Sequence, residues 1–175
     1  MRRPHGLLAT TCAITALIFL SGCTSQPESL GSPAAAPPEL TATSDANAFP
    51  AVTGASGAEP TISAPTGTPP TTLMTRDLVT GSGAAATSTS TVTVNYVGIS
   101  WSDGAIFDSS WKRGTPAEFG LSQVIPGWSQ GLTGAQVGTR REIIIPPDLG
   151  YGANGQGSIK PNETLVFVVD ILGVK

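Results

Sequence analysis

Val124-Ile125-Pro126-Gly127-Trp128-Ser129-Gln130-Gly131-Leu132 decides the fold, because it opens the one stretch of residues 73–175 that reads as a helix. Trp128 and Leu132 stand four apart and share a helical face. Pro126 precedes them at a position where a missing N–H costs little. The helix predicted over Gly127 to Ala135 is about two turns long. Everything around it alternates with period two. Thr91 to Val97 places Val92, Val94 and Tyr96 on one face, and Thr164 to Leu172 does the same with Leu165, Phe167, Val169 and Ile171. Arg140 to Ile145 is a third strand, ended by Pro146-Pro147, which cannot continue a ladder. Leu73 to Val79 is a weaker fourth, closed by Gly81-Ser82-Gly83. Ala105-Ile106-Phe107-Asp108 is a short fifth after the turn signal Ser102-Asp103-Gly104. One short helix against an antiparallel sheet is an α+β arrangement.

Outward from this domain the composition changes. Residues 24–72 hold nine prolines and four charges, all acidic (Glu28, Glu39, Asp45 and Glu59), with few large apolar residues and no period. Such a segment buries too little surface to offset its chain entropy, so residues 23–72 are expected to be a disordered linker behind a modified Cys23. The first 22 residues read as an export signal: Arg2 and Arg3, then an apolar run from Leu7 to Leu20, too short to span a bilayer. Leu20-Ser21-Gly22-Cys23 resembles a bacterial lipobox, which implies lipidation of Cys23, a membrane anchor and an extracytoplasmic location.

That cut removes chemistry. The only two cysteines are Cys12 and Cys23, and the only histidine is His5. The remaining chain then has no imidazole or free thiol for triad catalysis, acid–base work or a histidine zinc site. No metal or cofactor is expected. With a net charge of −3 and no basic run past the N-terminus, nucleic acid is not an expected partner, and nothing points to more than a monomer.

Four motifs in order carry a family resemblance. Val94-Asn95-Tyr96-Val97-Gly98 with Asp103-Gly104-Ala105-Ile106-Phe107-Asp108-Ser109-Ser110 is the first, and Val124 to Leu132 the second. Gly138-Thr139-Arg140-Arg141 leading to Ile145-Pro146-Pro147-Asp148-Leu149-Gly150-Tyr151-Gly152 is the third, and Ile159 to Phe167 the fourth. Together they resemble the FKBP-type peptidyl-prolyl cis/trans isomerases across residues 73–175. The resemblance implies a five- to six-stranded antiparallel sheet wrapped around one short helix, with a pocket between them.

On pattern alone Trp128, Tyr96, Phe107 and Phe167 read first as core aromatics, and Asp108 before Ser109-Ser110 as a turn former. The resemblance places them instead in the pocket: Trp128 as floor, Tyr96, Phe107 and Phe167 as walls, Asp108 as the pocket carboxylate, and Tyr151 as a hydroxyl donor. It assigns Val124, Ile125 (through its backbone N–H), Phe119 and Ile159 to substrate binding. Expected partners are proline-containing exported polypeptides and macrolide inhibitors. The chain departs from the family pattern at Ala117, where an aromatic is frequent, and in the short loop Asn154 to Ser158. Those departures keep open a second reading, a proline-binding or chaperone module of the same fold with weak or no isomerase activity. Trp111 is expected near the pocket rim, exposed.

Overall fold

The computed structural model describes residues 49–175. Cys23 and the expected signal segment lie outside them. The described elements are β1 (Val52–Thr53), β2 (Thr61–Ile62), β3 (Met74–Val79), β4 (Thr91–Ser100), β5 (Ile106–Ser109), α1 (Ser110–Arg113), β6 (Ala117–Gly120), α2 (Pro126–Leu132), β7 (Arg140–Ile145) and β8 (Leu165–Val174). Strands β3 to β8 form one six-stranded antiparallel sheet in the order β3-β7-β8-β4-β5, with β6 also on β4. Strand β4 changes partner along its length: Thr91 to Val94 pair with β6, and Val97 to Ile99 with β5.

The predicted alternation sorts the core. Val92, Val94 and Tyr96 of β4 and Leu165, Phe167, Val169 and Ile171 of β8 join Trp128 and Leu132 of α2 in one buried cluster. The helix lies close because its inner face is bare. A Cβ on Gly127 would stand 2.4 Å from Ile145 Cγ2, and one on Gly131 3.0 Å from Ile143 Cγ2. Burial of the apolar face holds so short a helix, since seven residues alone do not sustain one in water.

The opposite face of the sheet is not open to solvent. Val97, Ile99, Trp101, Ile144 and Val166 form a second cluster, covered by Phe49 and Ile62 with Met74 and Trp111. This corrects two expectations. Residues 49–72 are not disordered linker: they form a strap, with β1 and β2 paired, that packs on this face. And Trp111 packs under the strap side instead of standing exposed at the pocket rim.

The strap is held by main-chain polar groups, which hydropathy does not register. Arg140, 2% exposed, donates to both carboxylate oxygens of Asp170 (2.6 and 2.7 Å). Its other N–H groups reach the carbonyls of Gly54, Ala55 and Ala58 at 3.1, 2.9 and 2.7 Å. All five guanidinium donors are thus used. Arg76 does similar work, bonding Glu142 and the Pro50 carbonyl while its guanidinium covers the Phe49 ring. The Trp101 indole N–H donates to the Gly67 carbonyl.

Candidate functional site

Between α2 and the sheet lies an open cavity of about 550 Å³. All ten pocket positions expected from the sequence line it: Tyr96 on β4, Phe107 and Asp108 on β5, Phe119 on β6, Val124 and Ile125 ahead of α2, Trp128 on α2, Tyr151 and Ile159 in the segment between β7 and β8, and Phe167 on β8. Gln123, which the sequence did not single out, completes the lining with Gln156, Gly157 and Ser158 of the short loop already noted as a departure from the family pattern. The last three form the tip of a tight hairpin, closed by paired bonds between the main chains of Gln156 and Ile159.

The aromatic residues interlock edge to face. Trp128 meets Tyr96, Phe119 and Phe167 at centroid distances of 5.3, 5.2 and 5.2 Å, with interplanar angles of 87°, 77° and 85°. Phe107 stands against Phe167 at 5.4 Å and 83°. These are the favoured geometries for rings of opposite edge and face charge, so the floor and walls are fixed before any ligand enters. Gly98 makes part of this possible. A Cβ there would lie 2.6 Å from Phe107 and 2.7 Å from Phe167, so both rings rest on bare main chain.

One side of the cavity is polar and internally paired. The Tyr96 hydroxyl donates to Asp108 Oδ2, and Arg113 donates to Asp108 Oδ1 and, at 2.8 Å, to the Tyr96 oxygen. Burial works to raise the Asp108 carboxyl, but the hydrogen bonds from Tyr96 and Arg113 outweigh it and hold the group below the ordinary carboxylate range. Burial, then the bond to Asp108, pushes the Tyr96 phenol up to about 12. Burial and the Asp108 charge likewise raise the Tyr151 phenol. At neutral pH the site therefore presents an ionised, neutralised Asp108 and two protonated phenols. Nothing here is poised to move a proton. Arg113 is the residue that the sequence reading missed; it stands five positions after Asp108, beyond the matched motif.

The site is thus a preformed apolar cup with one polar side, paired within itself. The FKBP-type peptidyl-prolyl cis-trans isomerase model matches residues 83–172, and the chain belongs to this family. A relative in Streptomyces anulatus, an FK506-binding protein, is 48% identical over 120 residues, covering 66% of this chain and 97% of the relative. The outer membrane protein MIP of Legionella longbeachae is 43% identical over 107 residues, covering 61% of this chain and 46% of that protein. The crystal structure of FkpA from Escherichia coli superposes with a TM-score of 0.57 at 44% identity, over 59% of this chain and 48% of that one. The chain is thus a peptidyl-prolyl cis-trans isomerase, an antiparallel sheet around a short helix, acting on proline-containing polypeptides.

Proposed function

We propose that this isomerase serves exported polypeptides outside the cytoplasm, held at a membrane through lipid on Cys23, with Trp128 under the substrate's prolyl ring. The interlocked aromatic cup carries the reading of the site. The anchor rests on the Leu20-Ser21-Gly22-Cys23 motif, and the membrane location is supported by the name of the Legionella relative.

The chemistry follows from the amide. Partial double-bond character sets a rotation barrier of about 18–20 kcal/mol. At the transition state the resonance is lost and the amide is less polar. An apolar cup of Trp128, Tyr96, Phe107 and Phe167 stabilises that state relative to the planar, more polar ground state. Val124, Phe119 and Ile159 form the rim. The Ile125 N–H, which has no acceptor among the described residues, and the Tyr151 hydroxyl orient the substrate carbonyls. Asp108 keeps the Tyr96 ring in place. No group gains or loses a proton.

The test is protease-coupled isomerisation of an X-Pro tetrapeptide. The chain is expected to accelerate it, and Trp128→Leu and Asp108→Ala to lower kcat/KM by about tenfold or more while the protein stays folded. Wild-type turnover in both variants would remove the pocket assignment. Binding of the peptide without acceleration by the parent chain would favour the alternative, a proline-binding or chaperone module. Export and anchoring are read separately, by globomycin-sensitive processing and labelled palmitate at Cys23.

A further inference from the structure

Tyr96 is held from both ends by one corner of the fold, and half of that hold lies outside the pocket. In the ladder, β6 pairs with β4 as far as Val94 and β5 takes over at Val97. The Tyr96 main chain falls in the gap between the two partners. An unpaired buried N–H there is costly. Its acceptor is a side chain: the Tyr96 N–H donates to Ser110 Oγ at 2.9 Å. Ser110 is completely buried, and its hydroxyl proton goes on to Asn95 Oδ1 at 3.1 Å, so the oxygen is oriented and both neighbours on β4 are engaged.

Ser110 opens α1 directly after Asp108 and Ser109. The N-cap Ser109 accepts from the Lys112 N–H and sets the turn. Asp108 accepts its neighbour's N–H at 2.8 Å and the Tyr96 hydroxyl; Arg113, at the end of α1, closes on both. Residues 108, 110 and 113 thus grip the hydroxyl and the backbone of one tyrosine from a single rigid corner. The ring between them packs edge-on against the Trp128 indole.

We propose that Ser110 is a positioning residue of the isomerase: by supplying the acceptor that the strand change withholds, it fixes the Tyr96 backbone so that its ring walls the cup and its hydroxyl meets Asp108. This rests on the pocket reading above. Ser110 touches no substrate and acts only through Tyr96. With it gone, the local main chain seeks water or a new partner, and the hydroxyl is drawn off Asp108.

The experiment uses the whole chain with two readouts. In a Tyr151→Phe background Tyr96 is the only tyrosine left of the two in the chain. Its ionisation is followed by absorbance in rapid pH jumps. Ser110→Ala is expected to make Tyr96 ionise at least threefold more readily, because the Asp108 bond that raises it is loosened. In the otherwise wild-type chain, Ser110→Ala is expected to lower kcat/KM for the X-Pro peptide threefold to tenfold. Asn95→Ala, which frees the Ser110 hydroxyl from its more exposed end, shifts both readouts the same way by less, and decides the matter if Ser110→Ala does not fold. Unchanged Tyr96 ionisation with unchanged turnover in the folded variants overturns the inference. Tyr96→Leu, which removes the aromatic ring itself, separates this from failure of the pocket reading. If it turns over like the parent chain the wall assignment falls, whereas reduced turnover in Tyr96→Leu with no reduction in Ser110→Ala indicts Ser110 only.

Discussion

Replacing Arg140 by Met tests whether the strap is part of the folded unit. The guanidinium is 2% exposed and each of its five N–H groups has an acceptor, two on Asp170 and three on strap carbonyls. Methionine fills much of the same volume and removes every bond. Asp170, with its side chain 7% exposed, would then keep only the Gly57 N–H at 3.3 Å. Breaking a buried pair from one side costs about 3–5 kcal/mol, chiefly through the charge left behind. The carbonyls of Gly54, Ala55 and Ala58 can recover hydration if the strap lifts, so part of the loss should appear as local opening and not as global unfolding. Urea denaturation reads the total, and limited proteolysis reads opening of residues 49–72. The expected result is a lower midpoint with strap cleavage preceding that of the sheet. Arg140→Met combined with Asp170→Leu removes both charges and should regain most of the lost stability. A loss under about 1 kcal/mol in the single variant, with strap cleavage unchanged, would show that these bonds do not hold the segment.

Gly98→Ala places a methyl about 1 Å inside ordinary carbon contact with Phe107 and Phe167. The rings must move toward the cavity, at a cost of about 1–3 kcal/mol, with KM for the X-Pro peptide raised; unaltered melting and kinetics would contradict the close packing. Glu142 gives a pH dependence. Its carboxyl is completely buried, one oxygen has no hydrogen-bond partner, and burial pushes it up to about 7 although Arg76 acts in the other direction. For an acid raised on folding, the stabilisation is complete below its ordinary value of 4.5 and is lost as pH rises through about 7. Asp103, Asp108 and Glu118 are shifted the other way and titrate below this window. Stability should therefore fall between pH 5 and pH 8 by roughly 2–3 kcal/mol at most, at about 1.4 per pKa unit, and Glu142→Gln should flatten the curve. A parent chain whose melting temperature is level across that range would show that Glu142 is not the controlling group.

The sheet was legible because it rests on side-chain pattern, whereas the cup was read from the family resemblance, its aromatics reading as core on pattern alone. Alternation alone sorted Val92, Val94, Tyr96, Leu165, Phe167, Val169 and Ile171 onto the helix-covered face. Strand β6 escaped, since Ala117-Glu118-Phe119-Gly120 is too short to show a period. Helix α1 escaped for the same reason, and with it Arg113 and Ser110, whose parts depend on where β5 turns. The rim residues Gln123 and Gln156 are polar, exposed and unremarkable until the hairpin is seen to fold over the cavity.

The strap is the instructive miss, because a signal for it was present on the wrong side of the chain. Ile143-Ile144-Ile145 and Leu165-Val166-Phe167-Val168-Val169 are apolar at every position and buried at every position. A sheet with one solvated face alternates; uninterrupted apolar strands need cover on both faces. One seven-residue helix can cover only one. A second layer was therefore demanded by β7 and β8, and among the described residues the proline-rich segment before residue 73 supplies it. That segment looked incapable of packing because its own side chains are small. It needs few apolar contacts of its own, since Arg140 and Arg76 bind its carbonyls, groups that every residue carries whatever its side chain. The family match begins at residue 83 and leaves the strap out. A fragment cut to that match would bare Val97, Ile99, Ile144 and Val166, strip Arg140 of its three strap carbonyls and leave Glu142 without Arg76. Strands β4 and β8 carry the pocket walls Tyr96 and Phe167 on their other face, so the cover on one side of the sheet is a condition for the geometry on the other.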